Sequence, residues 1–257
     1  MISKTPETPI EVVEEGETNH KVQSSKFQVN KVPSSNFKVN KVPSSNLKVQ
    51  SKLKALLSST YFGPIQWYQK LNRYDECLIE RHESFIKQTY RNRMIIPTTN
   101  GPLSLTIPTN HDISLSMKDI RISDHANWRH VHWNALLSAY GESPFFEYYQ
   151  DDIRPFYEKK YEFLFDFNME TTEKMIELLD IRPKISITEA YIQSKELKEE
   201  DEIKDFRDAI RPKKPLPDAE FAPKRYYQVY GQKHGFQPNM SILDLLFNEG
   251  NEAIFYL

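Results

Sequence analysis

Between Asn127 and Tyr140 the chain carries no proline, glycine or acid, and Arg129 is its only full charge. A run with so little solvating charge predicts a mostly buried helix. Ser123 or Asp124 stands where an N-terminal cap belongs, Gly141 where the helix ends, and Pro144 follows. At about 100° per residue, His125, Arg129, His132 and Leu136 line one side, flanked by Trp128 and Ala139. His130 falls opposite with Asn127 and Asn134. That spacing fits a core helix whose histidines are satisfied by hydrogen bonds. It also fits the wall of a polar pocket made by His125, Arg129 and His132.

On the N-terminal side of this helix, shorter patterns alternate. Ala55–Thr60 predicts a strand, Pro64 opens a helix running to about Arg73, and Glu76–Glu80 predicts a second strand. Phe85–Tyr90 is either helical or extended. Met94–Pro97 and Leu103–Pro108 predict two strands joined through Thr98-Thr99-Asn100-Gly101, because Asn-Gly favours a hairpin. Beyond the helix, Ile153–Asn168 sets Phe156, Tyr157, Phe163 and Phe167 at helical spacing, and Thr171–Leu179 continues as another helix with Thr171 or Thr172 as cap. Ile185–Ile187 is expected to be a strand, and 195–208 a solvated helix or loop. The four prolines of Arg211–Pro223 exclude long regular structure there. Tyr226–Tyr230 is expected to be a strand or an aromatic cluster, and Ser241–Asn248 a short capped helix closed by Gly250. Short strands alternating with helices predict an α/β fold: one domain, 54–257, with a small sheet flanked by helices.

Residues 21–50 change that picture at the N-terminus. They are one decapeptide written three times, KVQSSKFQVN, KVPSSNFKVN and KVPSSNLKVQ. Each copy offers too few apolar side chains to offset the entropy of ordering it, so a solenoid is not expected. Lys21 to Lys54 contains eight lysines and no acid. We therefore expect 1–53 to be a disordered basic tail, either dispensable or weakly drawn to polyanionic surfaces.

Charge separates the two parts. Residues 1–54 hold nine Lys and five Glu, a balance of +4, which leaves −6 for the rest of a chain whose formal total is −2. A domain at −6 has no general attraction for nucleic acid, and no specific nucleic-acid partner is expected. No apolar run approaches the roughly 18 residues a membrane span needs. The first residues lack the apolar segment of a secretory signal. With a single cysteine, Cys77, the expected compartment is the cytoplasm. Set in a strand-like run, Cys77 reads more readily as a small buried residue than as a nucleophile.

Candidate chemistry gathers at three places. Glu80-Arg81-His82-Glu83 follows a strand, where open α/β sheets put their sites, although a surface turn fits as well. Arg91-Asn92-Arg93 offers two guanidinium forks for a carboxylate or phosphate, or for structural pairing with an acid. The third is the helix with His125, Trp128, Arg129 and His132. A zinc site from His125 and His132 with Glu80 or His82 lacks a compact spacing signature, so no metal is assigned. No Walker loop, GxGxxG or GxSxG occurs. No cofactor is named by the residues.

Tyr61-Phe62-Gly63-Pro64, the Glu80–Glu83 segment, Gln88–Arg93 and Asp119–Ala139 occur in an order that resembles the WbqC-like family. Ser143–Tyr149 and Pro238–Gly250 continue it, so the resemblance spans roughly Leu56 to Leu257. Asn92 and Arg93 are similar to the family's NR pair, Trp128 and His132 to its W-x-x-x-H, and Ser241 and Asp244 to its S-x-x-D. Ser59-Thr60 stand where many members carry Gln-Pro, which puts substrate identity in question. The resemblance implies a cytoplasmic α/β protein of surface-polysaccharide or small-molecule biosynthesis, with a transferase role. On that basis the chain is expected to transfer an acyl or aminoacyl group to an amino-sugar-like acceptor. His132 or His82 would be the general base, since an imidazole titrates near working pH. Asn92, Arg93, Arg129, His125, Trp128, Glu80 and Glu83 would hold a small-molecule substrate. The alternative is a non-catalytic ligand-binding or assembly component that uses the same pocket.

Overall fold

A computed structural model of the chain describes residues 52–110, 115–198, 200 and 202–257. The expected tail and its repeats lie outside the described residues, apart from Lys52 and Leu53. Every described residue belongs to one compact unit, Lys48–Leu257.

The sheet is organised by β1 (Lys54–Ser58), whose Ala55, Leu56 and Leu57 are fully buried. A strand covered on both faces reads as a continuous apolar run, which is how parallel sheets are built. From β1 the chain enters α1 (Ile65–Arg73), with Pro64 at its N-cap, and returns as β2 (Glu76–Glu80) parallel to β1. Gly63 allows this tight entry: a Cβ there would lie 2.3 Å from Thr60 Oγ1 and 2.8 Å from Thr60 Cβ. Cys77 sits in β2, buried, and burial pushes its thiol up to about 12, so it packs and does not react.

A hairpin follows, β3 (Arg93–Thr98) with β4 (Gly101–Thr106), turning through Thr99 and Asn100 into Gly101 at φ +97°. That turn supports the Asn-Gly expectation. A small ribbon, β5 (Thr109–Asn110) with β6 (Arg121–Ile122), leads to α2 (Trp128–Tyr140). Three helices follow: α3 (Phe146–Ile153), α4 (Pro155–Glu158) and α5 (Leu164–Leu178). The strands β7 (Ile185–Ile187) and β8 (Ile203–Asp205) complete a four-stranded sheet of order β7-β2-β1-β8, parallel throughout. A single turn, α6 (Gly231–His234), precedes α7 (Ile242–Glu249), which is buried along nearly its whole length. None of the described helices is long and apolar enough to cross a membrane.

Several local expectations give way to tertiary contacts. The helix expected over 153–168 is broken at 159–163. There Ile122 N–H donates to Glu162 O, and Leu164 N–H donates to Ile120 O, so the backbone pairs with the β6 segment. Thr171 and Thr172 cap nothing. They lie buried inside the continuous α5, with Thr171 Oγ1 bonded back to Asn168 O. Phe85–Tyr90 is neither helix nor strand but turns and bends. The charged run 195–208 contains β8, because a three-residue edge strand needs only Ile203 and its neighbours against β1. Tyr226–Tyr230 is not a strand, though Tyr226 does cluster with Phe236 and Tyr256.

Candidate active site at the carboxyl ends of the parallel strands

The strand order decides where a site belongs. From β1 the chain crosses to β2 and onward to β7 on one side, whereas β8 pairs with the opposite edge of β1. Open α/β sheets bind ligands in the crevice outside the carboxyl ends of the strands, at such a reversal. The side chains delivered there are Ser58 from β1, Glu80 and the His82–Glu83 turn from β2, and Asp205 and Arg207 from β8. A cavity of about 380 Å³ opens among them, with His82, Glu83, Arg91, Tyr191, Arg207 and Arg211 in its lining.

Ion pairs fix the walls. Arg91 grips Glu83 at two points, Nε to Oε1 at 2.7 Å and Nη2 to Oε2 at 2.5 Å, and both residues are buried. Ser58 Oγ donates to Glu83 Oε2 at 3.2 Å. Glu80 is fully buried and accepts from His82 N–H at 2.8 Å, Thr188 Oγ1 at 2.7 Å and Ile192 N–H at 2.9 Å. Its carboxylate therefore ties the turn after β2 to the segment after β7. Arg207 forks onto Asp205, Nε to Oδ1 at 3.0 Å and Nη2 to Oδ2 at 2.7 Å, and Nη2 also reaches Ile192 O. Burial pushes the Asp205 carboxyl up, but bonds from Arg207 and Ser194 outweigh it and hold the carboxyl below the usual range. Arg207 Nη1 is buried without a hydrogen-bond partner, 3.6 Å from Glu80 Oε2, and the guanidinium lies 5.2 Å from the centre of the Tyr191 ring.

This crevice is not a nucleotide-phosphate cradle of the usual βα type, in which free N–H groups at the helix start hold pyrophosphate. In α1 those donors are spent: Ile65 N–H on Met240 O, Gln66 N–H on Asn239 Oδ1, and Trp67 N–H on Pro64 O.

The histidine-rich helix sits elsewhere, and the wall expected from His125, Arg129 and His132 does not form. His125–Asn127 is a separate 3₁₀ turn with Ala126 and Asn127 left-handed, and no side chain caps α2. Two left-handed residues break the helical phase, so His125 is exposed and off the helix. Arg129 reaches Asp124 Oδ1 at 2.5 Å and Lys159 O at 3.2 Å, and its guanidinium stacks 4.6 Å from the Trp128 ring centre. With His130, Trp133 and Tyr157 it borders a second cavity, also about 380 Å³. His132 lies in the core. Its Nδ1 is 3.0 Å from the Tyr61 hydroxyl, and burial pushes its pKa down to about 4, so the ring is neutral at neutral pH. Trp128 is equally buried, edge-on to His132 and to Phe167.

Asn92 and Arg93 also stand apart from the strand-end cavity. Asn92 Nδ2 donates to Ile107 O at 2.9 Å, and Arg93 Nε to Thr106 Oγ1 at 3.1 Å across the hairpin. Of the residues expected to form a site, the fold thus brings together Glu80, His82 and Glu83. Among the described residues, no three His, Cys, Asp or Glu side chains converge as metal ligands.

A sequence model described as the WbqC-like protein family matches residues 58–212 and 218–256, a span that contains every residue bordering the strand-end cavity. The chain belongs to the WbqC-like protein family. Within this WbqC-like chain the S-x-x-D pair is a clamp. Ser241 Oγ donates to Phe62 O and accepts from Leu243 N–H, and the fully buried Asp244 accepts from Tyr226 and Gln228. The chain is 25% identical to the uncharacterized protein Rv1507c of Mycobacterium tuberculosis, over 80% of this chain and 97% of that one. No solved structure matches.

The sequence gives no mark of Asp205 and Arg207 as residues of the strand-end cavity, because they lie in a run dense with both charge signs. Phe206, an aromatic residue inside that run, is the one signal that the segment turns inward; it is buried against Tyr74 at 5.4 Å.

Proposed function

We propose that this chain is a biosynthetic transferase of a surface-polysaccharide or small-molecule pathway, moving an acyl or aminoacyl group onto an amino-sugar-like acceptor at the strand-end cavity. The observation that carries this reading is the reversal point itself. There His82 borders a cavity of small-molecule size beside three guanidinium groups, those of Arg91, Arg207 and Arg211. In this reading the acceptor amine attacks the carbonyl of an activated donor. A C–N bond forms, the bond to the leaving group breaks, and His82 takes the amine proton and returns it to the leaving group. Arg207 and Arg211 hold the anionic part of the donor, and no covalent enzyme intermediate is required. His132, neutral and enclosed by Tyr61 and Trp128, supports the core that carries Tyr61 into place. The compartment we assign is the cytoplasm, in keeping with a buried, unpaired Cys77.

The test is transfer itself. Purified protein is incubated with acyl and aminoacyl thioesters or adenylates and a panel of amino sugars and their glycosides, and products are read by mass spectrometry. An amide product that disappears in His82→Gln supports the reading. Ligand binding without any product would make the chain a binding or assembly component.

A further inference from the structure

The strand-end cavity has a charge pattern that selects among ligands. Arginines 91, 207 and 211 face Glu83, Asp205 and Asp208 around it, three cations against three anions. Arg91, Arg207 and Glu83 are 3%, 6% and 5% exposed, so solvent screens this inner part of the ring little, whereas the Arg211 and Asp208 side chains, at 30% and 54%, form its solvent-facing rim. A polyanion such as a nucleoside diphosphate would meet three carboxylates there, and a polyamine would meet three guanidinium groups. Both encounters are opposed by like charge in a partly shielded site.

The ring is also incompletely satisfied. Arg207 Nη1 and Arg211 Nε are buried donors without hydrogen-bond partners, although both residues border the cavity. An unpaired buried donor carries its full desolvation cost until an acceptor arrives. The unpaired donors favour an acceptor-bearing anionic group between Arg207 and Arg211, beside the Glu80 carboxylate that lies 3.6 Å from Arg207 Nη1. The turn after β2 offers Glu83, whose Oε1 and Oε2 each accept from Arg91, whereas Asp208 is already paired with Arg211 Nη2. Carboxylate oxygens have lone pairs left for an ammonium, which brings three donors.

We propose that this cavity recognises a zwitterion, a small molecule carrying one ammonium and one anionic group in the manner of an α-amino acid or an aminoacyl adenylate. The anion pairs with Arg207 Nη1 and Arg211 Nε, and the ammonium with Glu83. This rests on the cavity being the transfer site described above, and it narrows the transferred group from acyl to aminoacyl. Free amino acids and aminoacyl adenylates share the recognised chemistry, the anion being a carboxylate in one and a phosphate in the other.

The full chain is screened by thermal shift and calorimetry against the proteinogenic amino acids and their aminoacyl sulfamate analogues of the adenylate. Each hit is then compared with its deaminated acid, its decarboxylated amine, and inorganic pyrophosphate. At least one amino acid or aminoacyl sulfamate is expected to bind, with each single-charge fragment weaker by about tenfold or more, the effect of leaving one charged group unpaired. Which of the two probes binds better identifies the anion. Arg211→Gln, at a half-buried position that tolerates the change, should weaken the hit and its deaminated acid alike while leaving the decarboxylated amine unaffected. The proposal is overturned if pyrophosphate or the deaminated acid binds as tightly as the parent, or if no zwitterion binds at millimolar concentration. Zwitterion binding without transfer would sink the transferase reading and keep this one. Transfer of plain acyl groups with no gain from an amino substituent would do the reverse.

Discussion

The His132 imidazole and the Tyr61 hydroxyl meet in the core at 3.0 Å, and the same hydroxyl lies 2.8 Å from that of Tyr157. The polar chain links three segments far apart in sequence: the loop after β1, helix α2 and helix α4. Because the ring is buried, its neutral form is what the fold accommodates.

A pH dependence follows. Burial lowers the His132 pKa from 6.5 to about 4, so its contribution to stability is complete above 6.5 and is lost as pH falls towards 4. At 1.36 kcal/mol per unit the loss is about 3 kcal/mol. Urea denaturation at pH 4, 5, 6 and 7 should show this component as the difference between the wild-type and His132→Gln pH profiles. Identical pH profiles for the two proteins would contradict it.

Asp244 works in the opposite direction. Burial raises its carboxyl from 3.8 to about 6 despite bonds from Tyr226, Gln228 and Tyr140. A carboxyl raised on folding contributes stability that is present below 3.8 and is lost as pH rises through 6, again about 3 kcal/mol. The two groups offset each other between pH 4 and 6. Asp244→Asn should therefore gain stability with rising pH in that window, and His132→Gln should lose it. A ¹³C titration of the Asp244 carboxyl should show a midpoint near 6, and a midpoint below 4 would refute the assignment.

The Arg91–Glu83 pair should be costly to break from one side. Arg91→Ala strands a carboxylate that is 5% exposed, and the expected loss is about 3–5 kcal/mol. Arg91→Ala combined with Glu83→Ala should lose less than the sum of the single variants, because the stranded charge goes with its partner. Additive losses would mean that the two side chains do not depend on each other.

Two histidines distinguish the two cavities. His82→Gln should abolish transfer while changing the melting temperature by only a few degrees, since the backbone N–H of His82, and not its ring, holds Glu80. His130→Gln, beside the second cavity, should leave transfer near the wild-type rate. Loss of transfer in His130→Gln with His82→Gln unaffected would move the site to the head of α2.

Much of the scaffold was legible because its signals are local. The buried runs of β1 and β2, Pro64 at the start of α1, the Asn-Gly turn of the β3–β4 hairpin, and Ser241 capping α7 with Gly250 at its end are set by residues within a few positions of one another. The strand-end rule likewise singles out the Glu80–Glu83 segment, of which His82 and Glu83 border the cavity.

Local residue patterns thus specify the α/β class, most of the elements and one edge of the cavity. The tertiary structure decided the rest. β8 is a strand only because β1 offers it a free edge, and Arg207 becomes a cavity wall only because β8 delivers it opposite Glu83. His125 and His132 share a helical face on paper, but two left-handed residues separate them in the fold. His132 meets Tyr61 across 71 positions, and Thr188 reaches Glu80 across 108. Periodicity and capping act over a turn or two of chain, whereas a buried charge takes its partner from whatever segment the fold brings within about 3 Å.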